Sequence, residues 1–189
     1  MGNFVEMLYE VMVRPQATMR VIAAWRPVKQ AMAVFFISTT VTALMLHAAL
    51  SGPGAGNLVM MAVGIHFFFG LITWILGAAV FNLVAEYFGG QANGMGLFAT
   101  LGFTYWPKVF MAPVWAVAVF LPVGLRPWVW LTGGIAIAAW TILLTVIALR
   151  ASHGLSAQRA VLTLLTPPLV IGVLLLLLLM MGIAALPWR

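Results

Sequence analysis

Lys108 is the residue whose type and position point most directly to chemistry. It lies in residues 101–113, an apolar stretch that also contains Tyr105, Pro107 and Pro113. A lysine inside hydrocarbon costs about 2.5–3.5 kcal/mol on insertion scales, so it needs a partner, a wet cavity or a short reach to the surface. Lys108 therefore marks a substrate or ion site or an anion-attracting centre, or it is a structural lysine bound to carbonyl groups that the prolines free.

Glu86, Asn82 and His66 are three further candidate polar sites within the apolar runs. Asn82 and Glu86 are four residues apart, so they share one face of a helix. Glu86 could pair with Lys108 or Arg159, or it could be a carboxylate at the membrane interface. His66 could relay protons inside the membrane, or it could be a buried histidine bonded to neighbouring backbone.

The residue types leave little room for an enzymatic site. The chain has no cysteine, and all of its acidic residues are glutamates, so thiol catalysis and a Ser/His/Asp triad are excluded. His47, His66 and His153 do not form a metal set, because no carboxylate accompanies them at ligand spacing. We therefore predict a non-enzymatic protein with no catalytic, cofactor-binding or metal site and no cofactor.

The composition indicates that a bilayer is the solvent for most of the chain. Of 189 residues, 65% are hydrophobic and 6% are charged, and the mean hydropathy is +1.14. A soluble domain has about 25% charged residues. The basic residues behind the net charge of +6 fall beside and between apolar runs. They predict contact with a bilayer that has anionic headgroups and no nucleic-acid partner.

Five apolar runs are long enough to cross a bilayer as helices, which takes about 20 residues each. The sequence therefore predicts an all-α, polytopic membrane helical bundle over residues 30–189. The five predicted transmembrane helices are residues 30–50, 58–86, 97–121, 128–149 and 160–186.

Prolines predict that two of these spans are interrupted. A proline removes a backbone donor and clashes with the preceding turn, so the third span should break near Pro107 and Pro113 and the fifth near Pro167 and Pro168. Irregular backbone at membrane depth survives only where protein covers it or where it lines a cavity. The third span is therefore predicted to be central and packed by protein.

Residues 1–29 form a predicted amphipathic N-terminal segment before the first span. Apolar and charged side chains of residues 3–14 alternate at helical period. The apolar face comprises Phe4, Met7, Leu8, Val11 and Met12, and the charged face comprises Glu6, Glu10 and Arg14. A second short helix is expected over residues 16–26, with Met19, Ile22 and Trp25 inward and Arg20 outward. The segment lies in the interface plane or docks on the inner face of the protein, or does both.

The basic residues are distributed unequally between the two sides of the membrane. One side collects Arg14, Arg20, Arg26, Lys29, Arg150 and Arg159, and the other collects Arg126 and Arg189. The positive-inside rule then predicts a multi-pass membrane protein with a cytoplasmic N-terminus and an outside C-terminus. The six basic residues on the cytoplasmic side, Arg14 to Arg159 in the set above, are expected to contact lipid headgroups.

Three short motifs resemble the Yip (Ypt/Rab-interacting protein) domain family. Residues 12–19, Met-Val-Arg-Pro-Gln-Ala-Thr-Met, resemble its proline-led N-terminal segment. Residues 102–107, Gly-Phe-Thr-Tyr-Trp-Pro, resemble its G-[YF]-x-x-x-P motif in the third span, and residues 154–160, Gly-Leu-Ser-Ala-Gln-Arg-Ala, resemble the start of its fifth. The resemblance implies five spans.

Eukaryotic members of that family bind Rab-type GTPases and affect vesicle traffic and membrane shape. This chain resembles a bacterial-type member instead, and that resemblance implies the cell (inner) membrane as its location. Eukaryotic members carry a long soluble region before their first span, whereas this chain has about 30 residues there. Because it has no aspartate, it also lacks the Asp-Leu-Tyr-Gly-Pro motif of the eukaryotic branch. These departures argue against a Rab-type GTPase as its partner.

The first functional hypothesis is a non-enzymatic protein of Yip type with a membrane-organising or partner-scaffolding role. The alternatives are a small transporter or channel component that uses the broken third span around Lys108, and an accessory subunit of a larger membrane complex. A second copy or another membrane protein would be the partner. A wet cavity at Lys108 or His66 favours transport, a dry midplane favours a scaffold, and an uncovered Leu/Met stripe favours an oligomer or subunit.

Overall fold

The computed structural model describes residues 3–50 and 56–184. This part of the chain contains eight α-helices, one 3-10 segment and no strand. The elements are α1 Phe4–Val13, α2 Pro15–Trp25, α3 Val28–Leu50, α4 Gly56–Tyr87, α5 Gly94–Phe103, the 3-10 segment Trp106–Phe110, α6 Met111–Phe120, α7 Arg126–His153 and α8 Ala157–Ala184. Arg189 and residues 185 and 186 of the predicted fifth span lie outside the described residues.

Five helical segments are long and apolar enough to cross a membrane, which confirms the predicted all-α, five-span architecture. They are Val28–Ala48, Val59–Tyr87, Gly94–Phe120, Arg126–His153 and Ala157–Gly182. The third of these joins α5, the 3-10 segment and α6. Every span overlaps the apolar run that predicted it, because a helix satisfies all of its backbone groups internally and lipid offers no other partner.

A layer of two short helices covers one end of the bundle, which we call the N-terminal end. Here α1 packs on α2, and α2 packs on α5 and α7. Leu8 and Val11 of α1 and Met19 and Ile22 of α2 are buried in the main core, as their spacing predicts. The predicted inward position of Trp25 is wrong, since this side chain is 45% exposed at the last residue of α2. The layer is therefore docked on the protein itself.

The centre of the bundle is α5, which contacts α2, α3, α4 and α7. All but three of its residues are buried, and it has glycine where helices cross. A Cβ on Gly102 would lie 2.7 Å from the Cβ of Ala31 and 2.7 Å from Cζ2 of Trp74, so only glycine lets α3 and α4 approach this closely. Asn93 caps α5 by accepting from the Gly96 amide and donates to the Ala23 carbonyl of α2.

The predicted interruption of the third span is confirmed. After Phe103 the chain leaves α-helical geometry, forms the 3-10 segment with Pro107 buried in its first turn, and resumes an α-helix at Met111. The hydroxyl of Thr104 donates to the Leu101 carbonyl at 2.7 Å, which satisfies one group beside the break. The predicted central position holds for α5 but is wrong for α6, in which Ala118 is the one buried residue.

The predicted interruption of the fifth span is wrong, because α8 continues through Pro167 and Pro168. The two positions at which prolines predict a break differ in their surroundings. Most residues of α5 and Pro107 of the 3-10 segment are buried, whereas every residue described from Pro168 to Gly182 is exposed. A break in this exposed part of α8 would leave further backbone groups in lipid without a partner, so the helix accommodates both prolines and stays intact.

Candidate functional site

A cavity of about 520 Å³ with a mixed polar and apolar lining lies between α3, α4 and the break in the third span. Its walls carry hydroxyl, imidazole and ammonium groups at a depth where neighbouring surfaces are apolar. The polar lining residues are Thr39, Thr42 and His47 of α3, His66 and Thr73 of α4, and Tyr105 and Lys108 at the break. The structure thus brings together three of the predicted candidates, namely His66, Tyr105 and Lys108.

Lys108 projects into this cavity from the 3-10 segment. Its Nζ lies 3.9 Å from the centre of the Tyr105 ring, which is a cation–π contact. Within residues 3–50 and 56–184, Nζ has neither a carboxylate within ion-pair distance nor a carbonyl within hydrogen-bond distance. The carbonyl of Lys108 is instead contacted by Thr42, whose hydroxyl lies 3.4 Å from it and 2.8 Å from the Ser38 carbonyl. The aromatic ring, rather than carbonyl groups freed by proline, is what contacts the ammonium.

The remaining polar wall has donors and no acid. The hydroxyl of Thr39 is buried, and no hydrogen-bond partner for it occurs in the described part of the chain. Thr73 donates to the Phe69 carbonyl of its own helix. His47 and His66 line the cavity from the two packed helices α3 and α4. A cavity with an ammonium, two imidazoles and a free hydroxyl suits an anion or a neutral polar group better than a cation.

An aromatic layer lies next to the cavity on the side of the N-terminal end, and its member Tyr105 also lines the cavity, so we call this layer the aromatic floor. Phe35 stacks on Trp74 at a 5.0 Å centroid distance, and Trp74 stacks on Phe98 at 4.3 Å. Tyr105 meets the edge of Phe35 at 5.0 Å, so its ring contacts the layer on one side and Lys108 on the other. The Trp74 indole donates to the Phe98 carbonyl at 3.1 Å. The cavity therefore ends at packed side chains part of the way across the bundle.

A second polar cluster lies at the N-terminal end, far from the cavity. Asn82 Nδ2 donates to Glu86 Oε1 at 2.7 Å, and Asn82 Oδ1 lies 3.0 Å from His153 Nε2. His153 Nδ1 lies 2.9 Å from the hydroxyl of Ser152. His153 is 1% exposed, and each nitrogen of this buried ring lies within hydrogen-bond distance of a side-chain oxygen.

The cluster decides between the alternatives for Glu86. In the described residues Glu86 forms an ion pair with neither Lys108 nor Arg159, and its observed partner is Asn82. Twenty residues of α4 separate His66 at the cavity from Glu86, which is about 30 Å by helical rise. Glu86 is exposed, as an interfacial carboxylate would be. The roles of Ser152 and His153 were missed from the sequence, and the signal that could have found them is their place in a polar loop next to a span.

The cationic side chains expected to contact headgroups lie on the elements of the N-terminal end. Arg14, Arg20, Arg26, Lys29 and Arg159 are exposed, and Arg150 is half-buried. Arg126 lies at the opposite end, where its guanidinium donates to the carbonyls of Leu121 and Val119. Among residues 3–50 and 56–184, no three histidine or glutamate side chains are placed to hold a metal ion.

The comparisons with known proteins give one match. A family model described as the Yip1 domain matches residues 9–180, which is nearly the whole chain. Neither the curated proteins nor the solved structures include a match. The match spans the N-terminal layer, the broken third span and most of α8.

Proposed function

The chain belongs to the Yip1 domain family, and from this membership we propose that it is a non-enzymatic integral membrane protein with a membrane-organising or partner-scaffolding role exercised at its N-terminal end. The single observation that carries the proposal is the outer surface of the α1–α2 layer. The docked face of this layer is buried, yet its outer face is also partly apolar.

The outer surface has the pattern of a helix that lies in a membrane interface. Val5, Tyr9 and Val13 follow at intervals of four residues, so they share one face of α1, and all three are exposed. Val21 and Trp25 form a second exposed apolar pair on α2. We call these five residues the interfacial stripe. Tyrosine and tryptophan favour the level of the headgroups, where one part of the ring is apolar and the other is wet.

Basic residues flank the stripe and supply electrostatic attraction to anionic headgroups. Arg14, Arg20 and Arg26 lie on or next to the same two helices and are exposed. Each basic residue near an anionic surface contributes roughly 1 kcal/mol of attraction. The excess of basic residues at the N-terminal end supports a cytoplasmic N-terminus, an outside C-terminus and an inner-membrane location, because positive charge is retained on the cytoplasmic side.

Single spin labels test whether the stripe is immersed in the interface. Because the chain has no cysteine, Tyr9→Cys and Glu10→Cys each give one labelled site in vesicles of mixed anionic and zwitterionic lipid. We expect the label at position 9 to be relaxed more by lipid-soluble oxygen than by an aqueous nickel chelate, and the reverse at position 10. Equal access of the nickel chelate to both labels would show that the outer face of α1 is in water, which contradicts the proposal.

The cavity at Lys108 favours a second candidate function, in which the protein binds or transports an anionic or polar solute. Its aromatic floor argues for a binding site open at one end rather than a continuous channel. In sealed vesicles, Lys108→Cys should react with a membrane-impermeant thiol reagent from the side of the α3–α4 loop alone, and Ala99→Cys, buried in α5, should stay protected.

Two other labelling patterns would each contradict part of this second candidate. Protection of Lys108→Cys from both sides would mean that water does not reach the site and would exclude solute binding there. Reaction from both sides would mean that the aromatic layer does not close the path, and a channel would then be the better description.

A further inference from the structure

A small pocket at the N-terminal end joins two arginines that are 130 residues apart in the sequence. Its volume is about 110 Å³. Gln16 and Arg20 of α2 form one wall, Ile147 and Arg150 of α7 form the other, and Gly154 and Leu155 close it after the end of α7. A bound water occupies about 30 Å³ of liquid volume, so the pocket has room for three or four waters or for one compact polar group.

The charge in this pocket is uncompensated. In the described part of the chain, neither guanidinium has a carboxylate within ion-pair distance, and the nearest polar cluster uses its glutamate for Asn82. The Nε of Arg150 is buried and without a hydrogen-bond partner in the same residues. A buried donor on a permanent cation is costly to leave unpaired, at roughly 1–3 kcal/mol or more for a charged group. The two guanidinium groups that line one pocket without a carboxylate therefore favour an acceptor that carries negative charge.

The local fold brings the two arginines to the same pocket. Arg150 lies in the last turn of α7, and its carbonyl accepts from the amide of Gly154 at 3.0 Å. Gly154 has a φ of +67°, a left-handed conformation that glycine adopts without strain and that turns the chain back over the pocket. Arg20 reaches the pocket from α2, which packs on α7. The pairing thus depends on the docked N-terminal layer.

The length of α7 is compatible with a pocket at the depth of lipid phosphates. The 28 residues of α7 span about 42 Å by helical rise, and the hydrocarbon core is about 30 Å thick. α7 is therefore long enough for its last turn to extend beyond the hydrocarbon core into the headgroup region. Planar guanidinium groups bind phosphate oxygens through two parallel hydrogen bonds, which a lysine ammonium cannot do.

We propose that this pocket binds a phosphate group between Arg20 and Arg150, and that the headgroup of an anionic phospholipid supplies it. The proposal rests on the proposed function only in placing the N-terminal end at headgroup level. The spin-label measurement at position 9 tests that placement separately. If that label is exposed to water while lipid still binds at the two arginines, the interfacial position of the α1–α2 layer is contradicted and the phosphate site is retained.

The test measures lipid binding to the purified full-length protein in detergent by native mass spectrometry. Phosphatidylglycerol, phosphatidylcholine and inorganic phosphate are titrated in separate arms. The variants are Arg20→Gln, Arg150→Gln and Arg150→Lys, and the matched control is Lys29→Gln, which removes one exposed positive charge from the same end without lining the pocket. A thermal unfolding curve without lipid checks the fold of each variant.

We expect phosphatidylglycerol to bind at least tenfold more tightly than phosphatidylcholine. Either glutamine variant should lose at least tenfold in affinity, Arg150→Lys should lose less, and Lys29→Gln should change affinity by less than twofold. Competition by inorganic phosphate at comparable concentration would support the same site with a soluble phosphate as its source. If Lys29→Gln weakens binding as much as Arg20→Gln does, or if no arm shows saturable binding, the phosphate site is overturned.

Discussion

At the scale of single residues, the observed contact of Lys108 stabilises the charge by less than its placement at membrane depth costs. A lysine at membrane depth costs about 2.5–3.5 kcal/mol, and a cation–π contact returns about 0.5–2 kcal/mol. The contact with Tyr105 at 3.9 Å is the one interaction of Nζ that the described residues provide. Packing alone therefore gives no reason for a lysine at this position, which is what a ligand-binding role would require.

We predict that Lys108→Met leaves the free energy of unfolding unchanged or raises it by up to about 2 kcal/mol, because the cost of the charge exceeds the return from the ring. Thermal unfolding in detergent measures this change. Lys29→Met, which removes a charge from the exposed N-terminal end, should have almost no effect. A clear fall in the melting temperature of Lys108→Met would instead assign the lysine a structural role.

His153 is the residue-scale counterpart at the other end of the bundle, where a buried ring has all of its partners. Asn82→Ala should lower the free energy of unfolding by about 1–3 kcal/mol, because it leaves Nε2 of His153 without its 3.0 Å partner. Glu86→Gln is the matched control, since an amide oxygen can still accept from Asn82 and the side chain is exposed. Equal loss in both variants, measured by thermal unfolding, would show that the carboxylate charge rather than the histidine contact matters.

At the scale of helices, Gly102 explains why the motif at residues 102–107 has its particular residue types. Gly102 permits the close crossing of α5 with α3 and α4, Phe103 is fully buried beside it, and Pro107 starts the 3-10 segment. These three roles together place Tyr105 and Lys108 at the cavity. The motif therefore sets the helix packing that positions the candidate site.

Gly102→Ala should destabilise the protein by about 1–3 kcal/mol, since the new methyl group would lie 2.7 Å from two side-chain atoms of neighbouring helices. Gly134→Ala in α7 is the control, because a Cβ there meets no atom within 4 Å and alanine favours a helix. Thermal unfolding of the two variants should separate them. Comparable stability of both would mean that α3 and α4 do not cross α5 as closely as described.

At the scale of the whole molecule, α8 is held to the bundle by its first turns alone. Ala160 and Thr163 are buried, whereas the residues beyond Pro168 are exposed on every side as far as Gly182. A helix that is apolar all round is typical of a membrane span, and lipid covers such a surface. Helix packing is thus close at the N-terminal end of the bundle, whereas most of α8 is exposed.

The burial of Ala160 in the first turns of α8 and the exposure of its later residues predict unequal effects on stability for two substitutions in this helix. Ala160→Leu should cost about 1–3 kcal/mol by overpacking, while Leu175→Ala should change stability by less than about 0.5 kcal/mol, because Leu175 is 61% exposed. Thermal unfolding across a range of protein concentrations measures both. A large, concentration-dependent loss for Leu175→Ala would show that a second copy covers α8 and would favour the oligomer alternative.

The sequence by itself determined the number of spans, the helical class and the end that collects basic charge. It could do so because a run of about 20 apolar residues has no stable conformation in lipid other than a helix. The same reasoning located Lys108, Tyr105 and Pro107 at a break in the third span. The motifs at residues 12–19, 102–107 and 154–160 sufficed for the family, which the match over residues 9–180 confirms.

Only the tertiary structure decided which polar groups meet. Spans that are apolar on all sides carry no periodicity that indicates their inward face, so the sequence did not pair Asn82 with His153 or Arg20 with Arg150. Nor did it separate Pro107, where surrounding protein permits a break, from Pro167 and Pro168, where the helix continues. In each case the deciding quantity is what lies beside the residue, and in a bilayer that depends on helix packing rather than on the local sequence.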